Sequence, residues 1–373
     1  MRRGKTLVGI AALVGMTAVA CSSKTNTGTY ASTGATGGGS SSITAASALT
    51  ADGSTFAQPL YVKWATGYAS KGTQVSYSGT GSSQGISDLL HKVVDFAGTD
   101  APYIPAATET HTDPILNIPT ALGAVAVTYN LTGVSKLQLS AQTLADIFSG
   151  KIPAWNNAEV KADNPGVNLP STPVSVVHRS DGSGTTFIFT SYLSTVSAGF
   201  KTAIGAGTIP TWPTTAQFKA GAKSTGVDQL VKTTPGAIGY VELTYALQNN
   251  TQTALIQNAD KSAYLAPTVS NTASAASNFS ASSLTGDNLI FNLLNEPGAS
   301  SYPIAGPTYA ILYQQQADGA KGKAVVNFLA WGLTTGQAEE AALDYVELPP
   351  DLATKAIAAL KSVTYNGTAL MGS

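Results

Sequence analysis

Residues 178–193 read HRSDGSGTTFIFTSYL, and they gather unusual chemistry into one short loop. Arg179 offers a planar, permanently charged fork that suits a tetrahedral oxyanion. Ser183, Gly184 and Thr185 follow where a helix is expected to start. The first turn of a helix has unpaired N–H groups and carries about half a positive charge. Glycine lets the backbone come close to a ligand, and hydroxyls add donors. The combination is that of an anion cradle at a helix N-terminus. Asp181 fits the same picture if it pairs with Arg179, holds the guanidinium rigid and balances part of its charge. Hydrogen bonds to charged groups contribute about 1.5–3 kcal/mol each. A handful of them reaches the roughly 8 kcal/mol of micromolar affinity.

A second carboxylate sharpens the reading. Asp100 ends the strand-like VDFAGTD, just before Ala101 and Pro102. A carboxylate facing an anion is repulsive unless the anion has a proton to give. Hydrogen phosphate keeps such a proton near neutral pH, and sulfate does not. An acceptor in a donor-rich cleft therefore selects a protonated oxyanion, by repulsion as well as attraction.

Two further Gly/Ser loops, 52–56 and 79–85, share this grammar. The second contains Gly81-Ser82-Ser83-Gln84-Gly85, which satisfies the G-x-S-x-G of a hydrolase nucleophile elbow. The alternative function is therefore a secreted serine hydrolase or esterase. It needs a base, and His91, His111 and His178 are the chain's histidines. A dinucleotide fingerprint is not met, because Gln84 stands where its third glycine belongs. No His/Cys spacing suggests a metal site, and no cofactor is expected.

These loops need elements to position them. Leu60, Trp64 and Tyr68 recur at helical spacing after 52–56. Val75 and Tyr77 alternate as in a strand, and Ile86, Leu89 and Leu90 continue as a helix after the 79–85 loop. ALGAVAVTYN (121–130) reads as a buried strand, and LSAQTLADIFSG as a helix capped by Ser140 and stopped by Gly150. PVSVVHRSDGSGTTFIFTSYL is again strand, polar loop, helix. The C-terminal part is helical, with Ala324, Phe328 and Trp331 on one stripe and Asp351 as the expected N-cap of the last helix. Trp64 and Trp331 read as core, Trp155 and Trp212 as surface or cleft. Strands alternating with helices argue for α/β architecture with mostly parallel sheets. In such sheets ligands bind beyond the carboxyl ends of the strands.

The chain's 373 residues suffice for two domains. They are 43% hydrophobic and only 11% charged, with a formal net charge of −1. Nothing in that balance points to nucleic acid. MRRGK followed by an apolar run from Thr6 to Ala20 has the anatomy of a signal peptide (1–20). The single cysteine, Cys21, follows at once in AVAC, which resembles a bacterial lipobox and implies a lipidated first residue. Residues 21–48, rich in Ser, Thr, Gly and Ala, read as a flexible tether, spanning roughly 25–30 Å on average.

Several stretches together resemble the periplasmic phosphate-binding proteins of bacterial phosphate ABC importers. They are DGSTFAQPLYVKW (52–64), YSGTGSSQGI (77–86), VDFAGTDAP (94–102), IFSGKIPAWN (147–156), NPGVNLP (164–170), 178–193 and PGAIGYVE (235–242). The resemblance implies a two-domain periplasmic-binding-protein (type II) fold with a hinge and an interdomain ligand cleft. It implies phosphate ligands at Thr55, Phe56 through its backbone N–H, Ser82, Asp100, Arg179, Ser183, Gly184 and Thr185, with Asp181 pairing the arginine. Domain I is then expected at 49–125 plus 306–373, and domain II at 126–305. The hinge crossings are expected near Ala124–Thr128 and Tyr302–Pro307. The implied protein is a monomer that makes and breaks no covalent bond. It is lipid-anchored in the periplasm or at the cell surface, and hands inorganic phosphate to a membrane permease. Segments 195–230 and 258–300 show little family pattern, which leaves surface and partner contacts open there but not the ligand site.

Overall fold

The computed structural model describes residues 43–106 and 113–372. Cys21, the signal segment and most of the tether lie outside them. The folded chain starts slightly before the expected boundary at Leu49. Ile43, Ala45 and Ala46 pack on the core, and Ala46 N–H donates to the Ala320 carbonyl at 2.9 Å.

In chain order come β1 (Ala48–Gly53), α1 (Gln58–Tyr68), β2 (Gln74–Gly79), α2 (Ser82–Leu90), β3 (Phe96–Thr99) and β4 (Ile115–Tyr129). Next are β5 (Gln138–Leu139), α3 (Ala141–Phe148), α4 (Ala158–Asp163), β6 (Ser175–Arg179), α5 (Gly184–Val196), α6 (Ala198–Ala203), β7 (Phe218–Gly221), α7 (Lys223–Thr233) and β8 (Ala237–Glu242). They are followed by α8 (Leu243–Gln248), β9 (Leu255–Gln257), β10 (Tyr264–Leu265), α9 (Val269–Ala276), β11 (Leu293–Leu294) and β12 (Ile304–Tyr313). The helices α10 (Gly319–Gly332) and α11 (Pro350–Lys361) follow, and a short hairpin of 364–365 and 368–369 comes after them.

Among the described residues the main sheet runs β2-β1-β3-β12-β4-β8-β6-β7, with β11 on β12. The expectation of mostly parallel pairing needs correction. β1 pairs parallel with β2 and β3, and β6 with β7 and β8, but β12 and β4 between these blocks are antiparallel to their neighbours. The reason is β4, fifteen residues long and buried throughout. Its first part pairs with β12 up to Ala124, and Val125–Tyr129 pair with β8. One strand thus carries the chain from one parallel block to the other. Its opening ILNIPT hides from a sequence reading because Asn117 and Pro119 interrupt the apolar run. The proline is accommodated where the β4–β12 register shifts, between Thr308 and Tyr309.

Helix α1 buries Leu60, Tyr61, Trp64 and Tyr68 as its spacing predicts. Ser140 caps α3, and Gly150 follows it at φ +77. Three smaller expectations fail. Trp155 is fully buried and its Nε1 donates to the Gly236 carbonyl at 2.9 Å; Trp212 is buried too. Trp331 is only partly buried, against Tyr68. Pro349 occupies the N-cap of α11, and Asp351 sits inside the first turn, accepting from Leu352 N–H and Ala281 N–H.

Candidate functional site

The loops after β1, β2, β3 and β6 meet at the carboxyl ends of their strands. Arg179, the last residue of β6, is only 5% exposed. Its Nε lies 2.8 Å from Asp181 Oδ1 and its Nη2 2.5 Å from Oδ2, a two-point pairing. Lys223 N–H donates to Asp181 Oδ1 at 2.8 Å and fixes the carboxylate further. Burial alone would push Asp181 up, but Arg179 outweighs it and holds the carboxyl below its usual range. Burial likewise disfavours the charged Arg179, and Asp181 more than compensates. With that edge committed, Nη1 is the remaining face. It donates to Thr55 Oγ1 at 3.2 Å and Ser224 Oγ at 3.4 Å.

Ser183 caps α5: its hydroxyl accepts from Thr186 N–H at 3.1 Å and its carbonyl from Phe187 N–H at 3.1 Å. A helix has no internal acceptor for the N–H groups of its first residues, here Gly184 and Thr185. A Cβ on Gly184 would stand 2.6 Å from both Asp100 Oδ2 and Ser82 Oγ, so only glycine permits this approach.

Asp100 follows β3 and is 2% exposed. Its Oδ1 accepts from Ser54 Oγ and Thr308 Oγ1, each at 2.7 Å, and Ser54 also reaches Oδ2 at 2.8 Å. The Ser82 hydroxyl accepts from Asp100 N–H at 3.4 Å. Burial pushes the Asp100 carboxyl up to about 6, against the hydroxyl hydrogen bonds from Ser54 and Thr308 and the charge of Arg179. At pH 7 it is mostly ionised and can only accept; below about 6 it holds a proton and can donate.

Thr55, Ser82, Asp100, Arg179, Asp181, Ser183 and Gly184 are therefore joined or in direct contact. Phe56, in the loop after β1, and Thr185, in the first turn of α5, adjoin them and are both buried. The Phe56 carbonyl accepts from the Tyr345 hydroxyl. Sequence reasoning missed four participants. Ser54 and Glu242 stood inside the quoted stretches 52–64 and 235–242 without a role. Thr308 lies on β12, one residue past the expected hinge. Ser224 is the instructive miss, because it falls in 195–230, which was not expected to touch the ligand site. Its hydroxyl lies 2.9 Å from Thr55 Oγ1 and donates to Glu242 Oε2 at 2.8 Å.

Among the described residues the hydrolase geometry does not form. Ser83 lies in the first turn of α2, its N–H donating to the Gly182 carbonyl at 3.1 Å. His91 caps the far end of α2, roughly 12 Å along the axis at helical rise, with Nδ1 on the Ser87 carbonyl. His178 directs Nδ1 to the Arg179 carbonyl at 2.9 Å and stacks on Trp212, and burial lowers its affinity for a proton. Among the described residues no histidine is bonded to Ser82 or Ser83; His111 lies outside them.

What the arrangement can do is hold an oxyanion against a fixed arginine and a helix start, and test it for a proton with Asp100. Comparison with known proteins agrees. A family model described as the PBP superfamily domain matches residues 31–334. The phosphate-binding protein PstS of Xylella fastidiosa is 38% identical over 80% of this chain and 81% of its own length. That of Pasteurella multocida is 36% identical, over 84% and 89%. A solved phosphate-binding protein from Stenotrophomonas maltophilia superposes with a TM-score of 0.64 at 21% identity, over 84% of this chain and 94% of that one. The fold is the two-domain α/β fold of periplasmic binding proteins.

Proposed function

We propose that this chain, which belongs to the PBP superfamily and within it to the family of PstS phosphate-binding proteins, binds inorganic phosphate between two lobes and delivers it to the permease of a phosphate ABC importer. One observation carries the reading. A buried, doubly paired Arg179 and the start of α5 stand beside a buried acceptor, Asp100. Donors alone would take any small oxyanion; the acceptor favours one that brings a proton.

In this reading Thr55, Phe56, Ser82 and Asp100 come from a lobe of residues 49–125 and 306–373. Arg179, Ser183, Gly184 and Thr185 come from a lobe of 126–305, with Asp181 supporting the arginine. The change of partner along β4, where Ala124 pairs with Ala305 and Val125 with Glu242, supports a crossing there. Closure of the lobes excludes water and completes the ligand shell. The protein acts as a monomeric binder and not as an enzyme, with no part for nucleic acid. Cys21 anchors it to the membrane in the periplasm or at the cell surface, and Cys21→Ser moves it to the soluble fraction.

Calorimetric titration of the anion-free protein tests the reading. One-to-one phosphate binding with no sulfate response supports it. Turnover of a chromogenic ester, lost in Ser83→Ala, would replace it with the hydrolase.

A further inference from the structure

Glu242 ends β8 with its side chain sealed in the protein, 1% exposed. Its Oε2 accepts from Ser224 Oγ at 2.8 Å, and its Oε1 is buried with no hydrogen-bond partner. Ser224 Oγ lies 2.9 Å from Thr55 Oγ1, and Arg179 Nη1 faces both hydroxyls at 3.2 and 3.4 Å. A line of single protons thus runs from Glu242 through Ser224 to Thr55.

A hydroxyl has one proton to give. When Glu242 is a carboxylate, Ser224 donates to it. Ser224 then accepts from Thr55, whose proton points away from any bound anion. When Glu242 carries a proton, the line can reverse. Glu242 donates to Ser224, Ser224 donates to Thr55, and the Thr55 proton is released toward the cleft. Charge favours the same change. A hydrogen phosphate dianion enters beside Asp100 and Glu242, while Arg179 is already paired with Asp181. An ionised carboxylate with an unpartnered buried oxygen is also costly, and a neutral acid less so.

We propose that Glu242 is a positioning residue of the anion site: it takes up one proton as the anion binds and, through Ser224, turns the Thr55 hydroxyl toward the ligand. This rests on phosphate as the ligand. The ionisable groups facing Glu242 are Arg179 on β6, Asp100 after β3 and Tyr345 in the C-terminal segment, with Asp181 behind Arg179. Burial pushes the Glu242 carboxyl up to about 7, opposed first by its own backbone N–H, then by the Ser224 hydrogen bond and Arg179, and reinforced by Asp100. Above that pH the carboxyl is mostly ionised until a ligand arrives.

The test is phosphate titration calorimetry at pH 8 in two buffers of different ionisation enthalpy, which counts protons taken up. Phosphate is the same ligand for wild type and Glu242→Gln, and at pH 8 Asp100 is ionised in both, so the difference reports Glu242. Wild type should take up up to one proton more than Glu242→Gln, and the excess should fade toward pH 6, where the carboxyl already holds its proton. The variant's affinity should also fall less steeply between pH 6 and 8.5. If Glu242→Gln does not fold, Ser224→Ala serves. It strips the carboxyl of its hydroxyl partner, raises its hold on a proton before any ligand arrives, and should show a smaller uptake than wild type. Equal proton counts in wild type and a folded variant overturn the proposal. Folded wild type that binds no phosphate overturns the phosphate reading and this inference with it.

Discussion

Helices α2 and α5 both begin in glycine and serine at the carboxyl end of a parallel strand, and their N-terminal groups go to different partners. At α5 the Ser183 side chain caps its own helix, and the Arg179–Asp181 pair stands beside the start. At α2 no side chain caps the helix; Gly81 precedes it at φ +106, and Ser83 N–H is taken by the Gly182 carbonyl of the facing loop. In the proposed reading the α2 start shapes the cleft and offers Ser82, while the α5 start brings its N–H groups beside the charge of Arg179 on β6. A Gly/Ser-rich loop alone does not make an anion site. A fixed cation and donors free of protein partners do.

The largest test of that difference is Arg179→Ala. It removes the charge and leaves the half-buried Asp181 with only the Lys223 N–H. Losing two charge-assisted hydrogen bonds costs about 3–6 kcal/mol, so calorimetry should show phosphate binding weakened by roughly 10²–10⁴-fold. Arg179→Lys keeps the charge but not the fork, and should recover only part of the loss. Gly184→Ala comes next, because its Cβ would collide with Asp100 Oδ2 and Ser82 Oγ. A ten- to hundredfold weaker phosphate complex is expected; unchanged affinity would show that this contact does not shape the cleft.

Asp100→Asn should narrow the preference for phosphate over sulfate by weakening the one and admitting the other. Wild type should show the same trend as pH falls through about 6, where Asp100 takes up its own proton. The shifts also bear on stability. Asp100 and Glu242 hold protons up to about 6 and 7 in the fold, against roughly 4 in an unfolded chain. The native state then binds more protons than the unfolded one in that window, so stability falls as pH rises through it. Anion-free protein should melt higher at pH 5 than at pH 7.5. The smallest effects separate the two helix starts. Ser183→Ala removes a cap worth about 1 kcal/mol and should lower the melting temperature. Ser82→Ala, which breaks no cap, should mainly weaken phosphate.

The sequence shows the α5 start plainly because Arg179, Asp181, Ser183 and Gly184 are close neighbours and local helix rules place them. Asp100 was legible for a similar reason, as the charged end of a short apolar strand. Ser224, Thr308 and Glu242 were not. They reach the site from α7, β12 and β8 through pairings that no local pattern encodes. The mixed sheet escaped for a related cause: β4 changes partner midway along its length, and Asn117 and Pro119 conceal its first turns of alternation. Long-range register places those residues, and register is a property of the folded sheet.

The most direct test is calorimetric titration of the purified, anion-free protein with phosphate and then sulfate near pH 7.5. The account predicts saturable one-to-one binding of phosphate and no heat from sulfate. Folded protein that ignores phosphate, or binds sulfate equally well, would contradict it.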